Sequence, residues 1–195
     1  MKKISRPVFV VLLAIAAALL IAAASLIIIS LTRDGGKTVD DALWNYEKGC
    51  MLYDSERIVK YSSDYRRYEL AGNRESTRSA LIETLDKSYS KSTSPYLQGK
   101  LEYYSSKLKY YDVGSDTYSS LIDEYAAFAD TSDIERFAEV TAVIAYNGTR
   151  VLKINATLVK ISGRWFFFKN NIQTKKLTVS RCCQLFRFNS DGFEI

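Results

Sequence analysis

Residues 8–31 read VFVVLLAIAAALLIAAASLIIISL, a run of apolar and small residues that no charge interrupts. A helix rises about 1.5 Å per residue, so this run would be roughly 36 Å long and would cross a hydrocarbon core of about 30 Å. It is apolar all round and so lacks the polar face of a soluble core helix. Lys2, Lys3 and Arg6 precede it, while Arg33 and Lys37 come after it beside Asp34, Asp40 and Asp41. Counted by Lys and Arg, the bias puts a basic leader (1–7) in the cytoplasm, a transmembrane helix at 8–31, and the rest of the chain outside the cytoplasm. A cleaved signal peptide is the competing reading, with Ala22, Ala23 and Ala24 as its small-residue site. The apolar residues Leu26 to Leu31 carry the run well past that point, which favours an uncleaved anchor in a single-pass cell-membrane protein.

Beyond the apolar run lie a linker (32–37) and enough chain for one domain with a real core. The leader accounts for three of the formal +5 charges, and the remaining +2 is too weak to argue for nucleic acid. The chain has no His, which excludes Ser-His-Asp and Cys-His catalysis and His-containing metal sites. No metal or cofactor is expected. The three thiols are Cys50, Cys182 and Cys183. Outside the cytoplasm Cys50 would be free to bridge to one of the tail pair, or it is a small buried apolar residue.

Thr38 with Asp41 three residues on opens a helix in the manner of a capping box. Val39, Leu43, Tyr46, Cys50 and Tyr53 then recur at spacings of four and three, one face of a helix. The stripe breaks at Asp54-Ser55 and restarts as Ile58, Tyr61, Tyr65 and Tyr68, after a kink or in a second helix, until Gly72-Asn73 stops it. A third helix carries Leu81, Ile82, Leu85 and Tyr89. Lys100 to Val113 reads as a long, bent strand, and Asp116 caps a short helix with Leu121, Tyr125 and Phe128 inward.

From Ile134 the period is two. One row is Ala138, Val140, Ala142 and Ile144, and the next is Leu152, Ile154, Ala156 and Leu158. A two-residue Asn147-Gly148 turn would throw these rows onto opposite faces. A three-residue loop, Tyr146-Asn147-Gly148, would bring them together by pairing Ala142 with Leu152 and Val140 with Ile154. The same reasoning over Ile161-Ser162-Gly163 pairs Leu158 with Phe166 and Ala156 with Phe168. The opposite face then carries Phe137, Glu139, Thr141, Val143, Lys153, Asn155, Thr157, Val159, Trp165 and Phe167, charged at one side and aromatic at the other. A fully solvated face would not carry Trp165 and Phe167 together, so either the tail (170–195), through Leu177 to Phe188, a second copy or another protein covers them.

Helices first, then a long strand, a short helix and a meander ending in LVKISGRWFFF make a pattern that resembles the nuclear-transport-factor-2-like, cystatin-related α+β superfamily. There, helices pack into the curve of a bent antiparallel sheet. Val159, Gly163 and Trp165 match the V-x-x-x-G-x-W hairpin of its membrane-anchored bacterial members. The likeness covers about 38–169 and implies a cone between helices and sheet. That cone would be packed solid, hold a small apolar ligand, or do proton-transfer chemistry, and dimers would form through the sheet. A ligand would meet Tyr46, Tyr53, Tyr61 and Tyr65 in the cone and Arg136 at its rim; Arg136 otherwise makes a rim salt bridge with a helix carboxylate. A His-free Asp/Tyr enzyme needs a carboxylate inside the cone, and the buried strand rows supply none. The expected function is therefore a non-catalytic domain that binds another protein or a second copy, with a ligand carrier or sensor as the alternative.

Overall fold

The computed structural model describes residues 15–21 and 33–171. It divides into two units, Met1–Asp34 and Gly35–Ile195. In the first, residues 15–21 are helical and exposed. Among the described residues no helix is long and apolar enough to cross a membrane, and most of the run 8–31 lies outside them. The tail beyond Asn171, with Cys182, Cys183 and the strand expected over Leu177 to Phe188, also lies outside the described residues.

The second unit is an α+β domain in which helices pack on a four-stranded antiparallel sheet of order β1-β2-β3-β4. Its helices are α1 (Val39–Leu52), α2 (Ser55–Tyr61), α3 (Asp64–Leu70), α4 (Arg78–Ser88) and α5 (Asp116–Ala126). Its strands are β1 (Leu101–Asp112), β2 (Ile134–Tyr146), β3 (Thr149–Ile161) and β4 (Arg164–Asn170).

The helix starts follow from side-chain caps. The Thr38 hydroxyl accepts from the Asp41 N–H at 3.1 Å, as the sequence predicts. The second tyrosine stripe does not run on one helix. Asp54 caps α2 and Ser63 caps α3, each through a side-chain oxygen that accepts an N–H three residues on. Ser62 breaks the helix between them because it bridges to Phe167 of β4, and the Ser63 N–H donates to the Phe167 carbonyl at 2.9 Å. Gly35 and Gly36 also leave the expected linker and join the domain. The Gly36 N–H donates to the Trp165 carbonyl at 2.8 Å, and the Trp165 N–H returns a bond to Gly36 at 2.9 Å.

Both hairpin registers differ from expectation, for one reason. Asn147 and Gly148 have φ of 50° and 79°, and Ser162 and Gly163 have 48° and 79°. Two consecutive left-handed residues make a two-residue type I′ turn, whose twist suits the strands it joins. In the first hairpin a bulge between Ile144 and Ala145 then restores the phase: Ala142 pairs with Ile154, Val140 with Ala156 and Ala138 with Leu158. The two apolar rows share a face as expected, through a turn plus a bulge instead of a longer loop. In the second hairpin no bulge intervenes near the turn, so Lys160 pairs with Trp165 and Leu158 with Phe167. This one-residue slip turns Trp165 and Phe167 to the face of Leu158 and sends Phe166 and Phe168 to the other.

The sheet therefore buries apolar side chains on both of its sides. One face packs Ala138, Val140, Ala142, Ile144, Trp165 and Phe167 against α1, α2 and α4. The other packs Phe137, Val159 and Phe168 against Leu121 and Tyr125 of α5 and Tyr65 of α3. α3 serves both cores, since its Leu70 belongs to the first.

Candidate interaction surface

The six residues expected to form one partner-binding face do not form one. Trp165 and Phe167 are buried under α1, and Phe137 and Val159 are buried on the reverse face under α5. Thr157 is buried too, and its hydroxyl donates to the Asn171 side chain at 3.0 Å. Thr141 is half-buried. The aromatic pair expected to need an outside partner is covered by the chain's own helix.

The tyrosines expected to line a pocket diverge. Tyr46 stacks on Phe167 with ring centroids 3.8 Å apart, and its hydroxyl accepts from Arg66 Nε at 3.0 Å. Burial raises the Tyr46 hydroxyl well above its ordinary pKa. Arg66 stays charged although burial opposes it, because Tyr46 and Glu69 face it. Tyr53 is the left-handed cap of α1 and lies beside Tyr89, while Tyr61 packs part-buried against the first core. Tyr65 belongs to the second core, edge-on to Phe168. Tyr125, beside it, is pushed up to about 12 by burial. Arg136 does make a rim salt bridge, but its partner is Asp112 at the end of β1 rather than a helix carboxylate. Its guanidinium also lies 4.6 Å over the Tyr110 ring.

Two open surface clefts lie away from the sheet. One, of about 600 Å³, is bordered by Arg67, Tyr68, Arg74, Arg78 and Phe128; the other, of about 400 Å³, by Asp54, Arg57, Lys60 and Tyr61. No strand residue lines either. Cys50 is 3% exposed in the first core, and the thiols expected to bridge to it, Cys182 and Cys183, lie outside the described residues.

Sequence reasoning missed Glu47, a carboxylate only 1% exposed on the buried face of α1. The signal was present, since Glu47 stands four residues after Leu43 and so lies in the apolar stripe. It sits near Tyr103, whose hydroxyl donates to Asp40 at 2.7 Å. Burial first, then Asp40 and Glu47, raise the Tyr103 pKa.

Among the described residues, β1 carries large apolar side chains without cover. Tyr104 is 55% exposed, Leu108 44% and Tyr110 45%, and Val113 just beyond the strand is more exposed still. β1 is one edge of the sheet, with β2 on its inner side. A bulge lies between Ser105 and Lys107. Beyond it Leu108 and Tyr110 share the face of Val140 and Ala138, whereas Lys107 and Lys109 share the reverse face with Thr141 and Glu139. Lys109 lies 4.8 Å over the Tyr111 ring, and Tyr111 donates to Glu139 at 2.8 Å.

Comparison with family profiles, curated proteins and solved structures finds no match to this chain in any of the three.

Proposed function

We propose that this chain is a single-pass membrane protein whose α+β domain lies outside the cytoplasm and binds another protein without catalysing a reaction. The apolar run 8–31 behind a basic leader supports the anchor and its orientation. The observation that carries the binding role is β1, a twelve-residue edge strand with Tyr104, Leu108 and Tyr110 open to solvent. Large exposed apolar side chains grouped on one edge are what a docking surface requires. The order of helices and strands agrees with the nuclear-transport-factor-2-like resemblance, and a scaffold of that kind is the role in view. The ligand-carrier reading needs space among Tyr46, Tyr53, Tyr61 and Tyr65, whose rings diverge into two cores and a helix cap. The proton-transfer reading has a carboxylate in Glu47, but that group is sealed among packed side chains.

Site-specific photo-crosslinking in cells tests this. With benzoylphenylalanine at Leu108, a discrete protein adduct is expected, and with the same group at the exposed Asp86 of α4, none. Equal labelling at both positions, or no protein adduct at Leu108, would contradict the reading.

A further inference from the structure

Resting on the protein-binding reading, we infer that β1 takes its partner by strand addition, and that the partner is an extended segment alternating apolar with acidic residues. The geometry of the edge selects that chemistry. A strand laid along β1 continues both faces of the sheet, because its side chains alternate between them. On one face its residues stand beside Leu108 and Tyr110, which are part-exposed and apolar. On the other they stand beside Lys107 and Lys109. The carboxylates at the two ends of β1 already have cations, Glu102 with Lys100 at 2.7 Å and Asp112 with Arg136. In the middle of the edge Glu139 of β2 stands opposite Lys109, so two exposed lysines face one carboxylate and the excess of positive charge lies at Lys107.

The same lysines argue against a second copy of this chain. An antiparallel pair of β1 strands centred on Leu108 would set Lys107 of one copy opposite Lys109 of the other, on both sides of the axis. Like charges directly opposite across strands are destabilising. Lysine on an edge is also a common device against self-pairing. An acidic partner turns that repulsion into attraction.

The test uses the full-length protein in a neutral detergent and an acetylated eight-residue peptide of alternating Val and Glu, read by fluorescence anisotropy. Saturable binding is expected. The double substitution K107E/K109E should weaken it at least about tenfold and confer binding of the matching Val-Lys peptide. N-methylation of alternate peptide amides should abolish binding if they face β1, because strand addition is held by backbone hydrogen bonds. Circular dichroism of the variant controls for folding, and both lysines are exposed.

The inference is overturned if the wild-type chain binds Val-Glu and Val-Lys peptides equally, if the double substitution has no effect, or if neither peptide binds. It is also overturned if binding appears only after truncation beyond Asn171, which would give the edge to the chain's own tail. A dimer that Leu108→Arg returns to monomer would give it to a second copy. A protein adduct at Leu108 without peptide binding would leave the docking role standing and remove strand addition alone.

Discussion

The two edges of the sheet solve the same problem in opposite ways. β4 is short, seven residues, and its outer side is closed by the chain itself: Gly36 pairs with Trp165 and Ser62 with Phe167. β1 is twelve residues long, carries a bulge and two lysines, and has no strand on its outer side among the described residues. An edge strand offers unpaired N–H and C=O groups that must be covered or defended by charge and irregularity. Covering demands tight local geometry. A Cβ at Gly36 would collide with the backbone of Ala42 in α1, and Gly35 holds φ of +79° against the Phe166 ring. Defence by lysine demands no such fit and leaves the edge available to a chosen partner.

The contrast breaks most readily at the sealed edge. Phe167→Ala removes a fully buried ring and its stack on Tyr46, so a loss of about 3–5 kcal/mol is expected by denaturant melt. Gly36→Val forces side-chain atoms into the backbone of α1 and should cost about 1–3 kcal/mol by the same measurement. A neutral result there would mean that the glycine strap is not part of the fold.

At the open edge the effects shrink. Glu139 links β2 to Tyr111 of β1, and that hydroxyl, with Asn171, outweighs burial and holds the carboxyl below its ordinary pKa. A depressed carboxyl stabilises the fold above its unfolded value of about 4.3 and loses that contribution as pH falls through the lower folded value. The stability of Glu139→Gln should accordingly fall less between about pH 5 and 3 than that of the wild type, by under about 1 kcal/mol for so accessible a group. Smallest of all, Leu108→Ser should change stability by about 0.5 kcal/mol or less while it diminishes partner binding. A large loss on Leu108→Ser would erase the distinction between the edges.

Much of the fold was legible in the sequence because it rests on local rules. The Thr38 cap, the stripe of α1, the long strand over Lys100 to Val113 and the period-two rows of β2 and β3 all rest on spacings of two, three or four. What was not legible depended on a single-residue choice of turn. Asn147-Gly148 and Ser162-Gly163 both admit a two-residue or a three-residue loop, and a bulge in one hairpin undoes what the turn alone would do in the other. That choice decided whether Trp165 and Phe167 pointed in or out, and so moved the candidate interface from the flat of the sheet to its edge. Glu47 is hidden for another reason: the stripe runs on through Tyr46, Cys50 and Tyr53, and a charged residue beside Tyr46 reads as belonging to the solvated face of the helix. The Ser62 break was beyond local reading, because its cause is a contact with β4 more than one hundred residues away in sequence.

Hydrogen exchange of the full chain, resolved to the peptides that contain β1 and β4, separates a closed edge from an open one without altering either. Slow exchange is expected throughout Trp165 to Phe168, whose strand is paired on both sides. A fast fraction is expected within Leu101 to Asp112, from the amides that face outward, and that fraction should slow when the alternating Val-Glu peptide is added. Uniformly slow exchange across β1 in the unbound protein would contradict the open edge, since it would mean that the strand is already closed.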